Sequence, residues 1–127
     1  MGGRGTFAAG NNVPYKYKTV EKIEGVKVLQ PIDSKSSFSL PVEAHASGNY
    51  LLLDKAGVFR QYREYNAKHE VTLEIGYHFE NTLSKKGEAV LHVHEYSAPG
   101  IQNRKKARII TDEEKKKYRK IFKGVKL

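Results

Sequence analysis

Glu70-Val71-Thr72-Leu73-Glu74-Ile75-Gly76-Tyr77 decides the fold, because it alternates without interruption. Successive side chains of a strand point to opposite faces. Val71, Leu73, Ile75 and Tyr77 are therefore expected on one face, and Thr72, Glu74, Gly76 and His78 on the other. A core-facing apolar row backed by a polar row is the signature of a half-buried strand in an antiparallel sheet.

The neighbouring stretches extend that sheet in both directions. Upstream, Tyr50-Leu-Leu-Leu-Asp54 is a short apolar strand. Asp54-Lys-Ala-Gly57 turns the chain, with glycine where a positive φ costs little. Val58-Phe-Arg-Gln-Tyr-Arg-Glu-Tyr65 follows at hairpin distance, and Asn66-Ala-Lys-His69 makes the next turn. Downstream, a looser loop over 81–87 leads into Glu88-Ala-Val-Leu-His-Val-His-Glu-Tyr96. Four consecutive strands joined by short turns predict an antiparallel meander.

Outside the meander the signals are weaker. Residues 1–12 hold four glycines without periodicity and are expected to be disordered. Gly2 and Thr6 formally fit a myristoylation pattern, too short a match to build on. Val26-Lys-Val-Leu-Gln30 reads as a strand ended by Pro31, which lacks the amide proton a ladder needs. Asp33–Ser37 is a polar turn cluster, and Phe38–Val42, carrying Pro41, suits an edge strand or extended loop. At the C-terminus Thr111 and Glu114 have capping-box spacing. The predicted helix docks through Tyr118, Ile121 and Phe122 and stops at Gly124. The expected architecture is α+β: a meander of four or more strands with a basic C-terminal helix packed on it, one domain over 13–127.

Charge is concentrated at that end. Residues 104–127 hold 11 Lys/Arg against 3 Asp/Glu, a net of +8, and the rest of the chain holds 12 against 11. A one-ended basic segment suits a polyanion such as RNA or another nucleic acid. The residues expected to meet its backbone are Arg104, Lys105, Lys106, Arg108, Lys116, Lys117, Arg119 and Lys120. The competing reading is a solvated basic tail. The absence of cysteine excludes disulfides and thiol chemistry. No apolar run reaches membrane-spanning length, so no membrane partner and a cytoplasmic setting are expected.

The histidine strand carries the chemistry. His92, His94 and Tyr96 share a face, with Leu91 and Val93 on the other. Pairing with the Glu74 strand would bring Glu74, His78, His92 and His94 together, and Arg60 or Arg63 would join from the strand before, depending on register. Imidazole and carboxylate can take a proton from an attacking hydroxyl and give one to a leaving oxygen. A guanidinium can offset the charge that builds on phosphoryl oxygens. RNA brings its own nucleophile, so no metal or cofactor is called for. A His-x-His pair also suggests metal, but the cupin pattern fits poorly: Gly87 is one residue too close, and Ala98 or Pro99 stands where its glutamate belongs.

Two stretches together resemble a known family. One is the Met1-Gly-Gly-Arg-Gly start, common in small proteins encoded near phage head-morphogenesis genes. The other runs through Leu53-Asp-Lys-Ala-Gly-Val-Phe-Arg60, Glu74-Ile-Gly-Tyr-His-Phe-Glu80, Val90-Leu-His-Val-His-Glu-Tyr96, Arg104 and Ile110–Tyr118. These resemble a phage and prophage family grouped with the barnase/EndoU/colicin/RelE-like ribonucleases. The resemblance covers about residues 49–122 and implies a curved antiparallel sheet and an RNA-cleaving or RNA-binding role. It transfers no fixed triad. Where many relatives carry an acidic residue and an adjacent histidine, this chain has Gly76-Tyr77-His78. The expected activity is metal-independent RNA cleavage in the host cytoplasm. The alternative is a non-catalytic phage accessory protein, held in the virion or bound to a structural or inhibitor protein.

Overall fold

A computed structural model describes residues 17–31, 39–41, 43–44, 48–84 and 87–127. The expectations for residues 1–12 and 33–37 lie outside these, as does the myristoylation pattern. Among these residues seven strands form one sheet whose spatial order follows the chain: β1 Tyr17–Ile23, β2 Val26–Pro31, β3 Asn49–Leu53, β4 Phe59–Tyr65, β5 Val71–His78, β6 Val90–Glu95 and β7 Arg108–Ile109. β3 to β6 are the four expected strands, each antiparallel to the next.

One finding corrects the pure meander: the sheet is mixed, since β2 runs parallel to β3. The further strands are β1, paired to β2, and β7, paired to β6. β1 was not legible because its side chains are mostly exposed, so no apolar period marks it. β7 has only two residues, too few for any pattern.

The turns behave as their side chains dictate. Asp54 Oδ1 accepts from the amides of Ala56 and Val58, and Gly57 takes φ +82°. Asn66 Oδ1 accepts from the amides of Lys68 and Glu70 in the same way. A local acceptor thus replaces the ladder partner that each turn amide has lost.

The sheet buries both faces. On one, Val28, Leu51, Phe59, Tyr62, Ile75, Leu91 and Val93 meet Ile110, Ile121 and Phe122 from the C-terminal segment. The Phe59 and Phe122 rings lie 5.0 Å apart, and those of Tyr62 and Tyr118 5.4 Å. On the other, Tyr17, Leu29, Tyr50, Leu52, Tyr65 and Val71 pack with Leu40 and Ala44. Val71 therefore faces away from Leu73 and Ile75. The pairing shifts between Glu64 and Tyr65, so that Tyr65 opposes Val71 while Glu64 opposes Leu73, and a bulge reverses the alternation there.

The helix α1 spans Asp112–Tyr118 and starts with the expected capping box: Thr111 Oγ1 accepts from the Glu114 amide, and the Glu114 carboxylate accepts from the Thr111 amide. It is shorter than expected, passing into a 3-10 turn at Arg119–Ile121. Nor is it a basic helix, because Asp112, Glu113 and Glu114 balance Lys115, Lys116 and Lys117 within it. Glu114 also receives both terminal nitrogens of Arg108, each at 2.8 Å, which ties the helix start to β7. No helix among the described residues is long and apolar enough to cross a membrane.

Candidate functional site

Register settles which polar side chains meet. Arg63 on β4 stands directly opposite Glu74 on β5, and Glu74 directly opposite His94 on β6. Gly76 opposes His92 one step along the same polar row. Arg60 is excluded, because Leu52 pairs with Gln61 and Leu53 with Phe59, leaving Arg60 in a bulge and exposed to solvent.

Glu74 is the hub. Its side chain is 2% exposed. Oε1 accepts from Arg63 Nε at 3.1 Å and Nη2 at 2.9 Å, from the Tyr96 hydroxyl at 3.3 Å and from Arg104 Nη1 at 3.4 Å. Oε2 is far less occupied: Arg104 Nη1 lies 3.5 Å away and His94 Nε2 4.0 Å away. Burial alone would raise the carboxyl's pKa. The charges of Arg63 and Arg104 and the neighbouring His94, with the Arg63 hydrogen bonds, outweigh it and hold Glu74 below the usual carboxylate range. Burial, reinforced by the Glu74 charge, pushes the Tyr96 hydroxyl up to about 12, so it stays a donor.

His94 is held as firmly. Its Nδ1 lies 2.8 Å from the Lys105 carbonyl oxygen, which can only accept, so Nδ1 carries a proton and Nε2 is left toward Glu74. The Lys105 carbonyl is placed by the loop after β6, where a bridge pairs Tyr96 with Arg104. The same bridge delivers Arg104 to Glu74. Arg104 was expected among the groups meeting a nucleic-acid backbone; its side chain is 43% exposed and completes the Glu74 cluster.

Arg63 is committed elsewhere than at the surface. Nη1 donates to the carbonyl oxygens of Leu40 and Pro41, and the Tyr65 hydroxyl also donates to Pro41. Gln61 accepts from the Leu40 amide. Residues 39–41 thus cover β4 on this face as an extended loop. Arg63 positions Glu74, and its side chain is only 5% exposed, which does not suit it to hold a phosphate, the role first expected of it.

His92 is bonded elsewhere than to Glu74. Nδ1 donates to the Val90 carbonyl at 2.9 Å, and Nε2 is buried with no hydrogen-bond partner. Burial above all lowers its pKa, aided by the nearby His78 and His94. Its ring sits edge-on to His78 at 4.6 Å and to His94 at 5.4 Å. His78 lies at the open end of β5, with Nδ1 bonded to the Phe79 carbonyl. The histidines therefore split, His94 belonging with Glu74 and His92 with His78.

The expected basic surface also splits. Arg104, Lys105 and Lys106 follow β6 beside the Glu74 cluster. Arg108 is occupied by Glu95 and Glu114. Lys116, Lys117, Arg119 and Lys120 are exposed on the C-terminal segment, which packs on the Tyr62 face, opposite Glu74. Of these, Lys120 Nζ lies 3.7 Å from Glu24 and Lys117 Nζ 5.2 Å from the Tyr118 ring centroid.

Comparison of the chain with protein-family models, with curated proteins and with solved structures finds no match.

Proposed function

We propose that the Glu74 cluster cleaves RNA by intramolecular transesterification. The observation that carries this reading is the uneven loading of the carboxylate. Oε1 is held by Arg63 and Tyr96, while Oε2 faces His94 Nε2 across 4.0 Å, with Arg104 Nη1 shared between the two oxygens at 3.4 and 3.5 Å. Each group can reach a different oxygen of one phosphodiester at hydrogen-bond distance, about 2.8 Å. A carboxylate and an imidazole so placed divide the proton work.

In this reading Glu74 Oε2 takes the proton of the RNA 2′-hydroxyl as its oxygen attacks phosphorus. The bond from phosphorus to the 5′-oxygen breaks, and protonated His94 gives Nε2–H to that leaving oxygen. The product ends are a 2′,3′-cyclic phosphate and a 5′-hydroxyl. Arg104, half-exposed at the rim, offsets the charge on the phosphoryl oxygens. Arg63 and Tyr96 keep Glu74 ionised and oriented. No metal enters these steps, and the phage and ribonuclease resemblance of the motifs points the same way.

The test is cleavage of a labelled RNA by the full chain in EDTA, with the ends identified. Cyclic phosphate ends are expected. A 2′-deoxy substitution at the cleaved nucleotide should abolish the reaction, and His94→Ala or Arg104→Ala should slow it by roughly 10²-fold or more. Salt-sensitive RNA binding without cleavage would overturn the catalytic reading in favour of a binding protein. Unchanged cleavage in both variants would overturn the residue assignment.

A further inference from the structure

We infer that His78, Glu80 and His92 form a binding site for one divalent transition-metal ion, separate from the Glu74–His94 pair. Each of the three offers one ligand atom, and these atoms lie within 4.8 Å of one another. Two imidazoles and a carboxylate match the donor preference of Zn²⁺ and its first-row neighbours rather than of Ca²⁺ or Mg²⁺, which favour all-oxygen shells.

Three independent features point at that space. The first is His92 itself, fully buried, with Nε2 unpartnered. A buried acceptor with no partner carries a desolvation cost of about 1–3 kcal/mol, and a bound cation would remove it. The second is orientation. His92 Nδ1 is spent on the Val90 carbonyl and His78 Nδ1 on the Phe79 carbonyl, so both rings are left with Nε2 as the free lone pair. Metal-binding histidines are held in this way, by a hydrogen bond from the other ring nitrogen to a backbone carbonyl or carboxylate.

The third feature is Gly76. A Cβ built there would stand 2.8 Å from His92 Nε2 and 3.2 Å from His78 Nε2. Both lone pairs therefore converge over one glycine. Gly76 is not among the residues of positive φ, so the backbone conformation does not call for glycine. Glycine in a strand interior marks a close approach. Here the missing side chain leaves the room in which two imidazoles and an ion can meet. Metal–nitrogen distances of about 2.0–2.1 Å require the ligand atoms to draw closer than 4.8 Å. Glu80, just past the end of β5, is the group placed to close that gap. Three protein ligands leave a fourth position open to water or another small ligand.

The inference does not rest on RNA cleavage, and its readout is independent of it. Tag-free full-length protein, stripped with EDTA and dialysed, would be titrated with Co²⁺ and followed by its visible absorption, and with Zn²⁺ by calorimetry. One equivalent is expected to bind. Glu80→Gln and His78→Ala should each weaken binding at least roughly tenfold, the lower end of what disturbing a metal shell costs. Gly76→Ala should do the same with every ligand retained, and His94→Ala should leave the stoichiometry and absorption unchanged. Far-ultraviolet circular dichroism would confirm that each variant folds; Glu80→Gln, on a partly exposed loop residue, keeps the test decisive if His78→Ala does not. No stoichiometric binding, or binding indifferent to Glu80→Gln and Gly76→Ala, would overturn the site. Loss on His94→Ala with indifference to Glu80→Gln would assign the ion to a His92–His94 pair and overturn it equally.

Discussion

Arg63 and Glu74 face each other across β4 and β5 with Nη2 2.9 Å from Oε1, and their side chains are only 5% and 2% exposed. Deleting one partner of such a pair leaves the other charge buried and uncompensated, at a typical cost of about 3–5 kcal/mol. Arg63→Met is therefore expected to lower the urea midpoint sharply. The double variant Arg63→Met/Glu74→Leu should recover much of the loss, because two apolar groups leave no orphaned charge. Additive losses in the double variant would show that the pair is not coupled.

Acid should weaken the hold of α1 on the sheet. The Arg108 hydrogen bonds, with help from the Thr111 amide and hydroxyl, bring Glu114 down to about 2 from an ordinary value of 4.5. A carboxylate depressed in the folded state contributes stability that is complete above its unfolded pKa and is lost as pH falls through the folded one. Glu114→Gln should thus lower Tm at pH 7, by an amount equivalent to about 1 kcal/mol for a cap and a partly exposed ion pair. The difference from wild type should shrink between pH 4.5 and 2. A constant difference down to pH 2 would contradict the ionic role.

Phe122 anchors the C-terminal segment on the Phe59 ring and is 4% exposed. Phe122→Ala should cost about 3–5 kcal/mol in denaturant unfolding. Lys123→Ala next to it, exposed and 3.8 Å from Glu21, should change stability by less than about 1 kcal/mol. Equal effects would mean that charge rather than ring burial holds the segment.

The split of the basic residues between two faces predicts a split in RNA affinity. Arg104→Ala should flatten the dependence of binding on salt by roughly one phosphate contact. Lys116→Glu/Lys117→Glu/Lys120→Glu should leave the cleavage rate at low RNA concentration unchanged, because those side chains lie across the sheet from Glu74. A large loss of cleavage in the triple variant would place the RNA on the helix side.

Much of this architecture is legible in the sequence alone. The β5 alternation located Glu74, Ile75 and Gly76 on their correct faces, and the Asp54 and Asn66 turns set the hairpins that follow them. Alternation failed at Val71 because a bulge is a property of two strands, not of one. Arg63 could not be separated from Arg60 for the same reason: an irregular β3–β4 pairing decides which arginine meets Glu74. The pairing of Arg104 with Glu74 depends on the Tyr96–Arg104 bridge, which no local pattern announces. Glu80 was missed entirely, though His78-x-Glu80 at the end of a strand was a signal that could have been weighed. Leu40 and Pro41 hold Arg63 through backbone carbonyls, and carbonyls leave no trace in a sequence.

The parallel pairing of β2 with β3 has a consequence for how the chain assembles. All neighbours in this sheet are consecutive in sequence, but the tight turns are those after β1, β3 and β4, at residues 24–25, 54–58 and 66–70, so those contacts close short loops and form early. β2 and β3 are separated by residues 32–48, and their two paired positions link the β1–β2 ribbon to the remainder. The ribbon is expected to dock last and to open first. Native-state hydrogen exchange should find the Val26–Leu29 amides less protected than those of Ile75 and Val93.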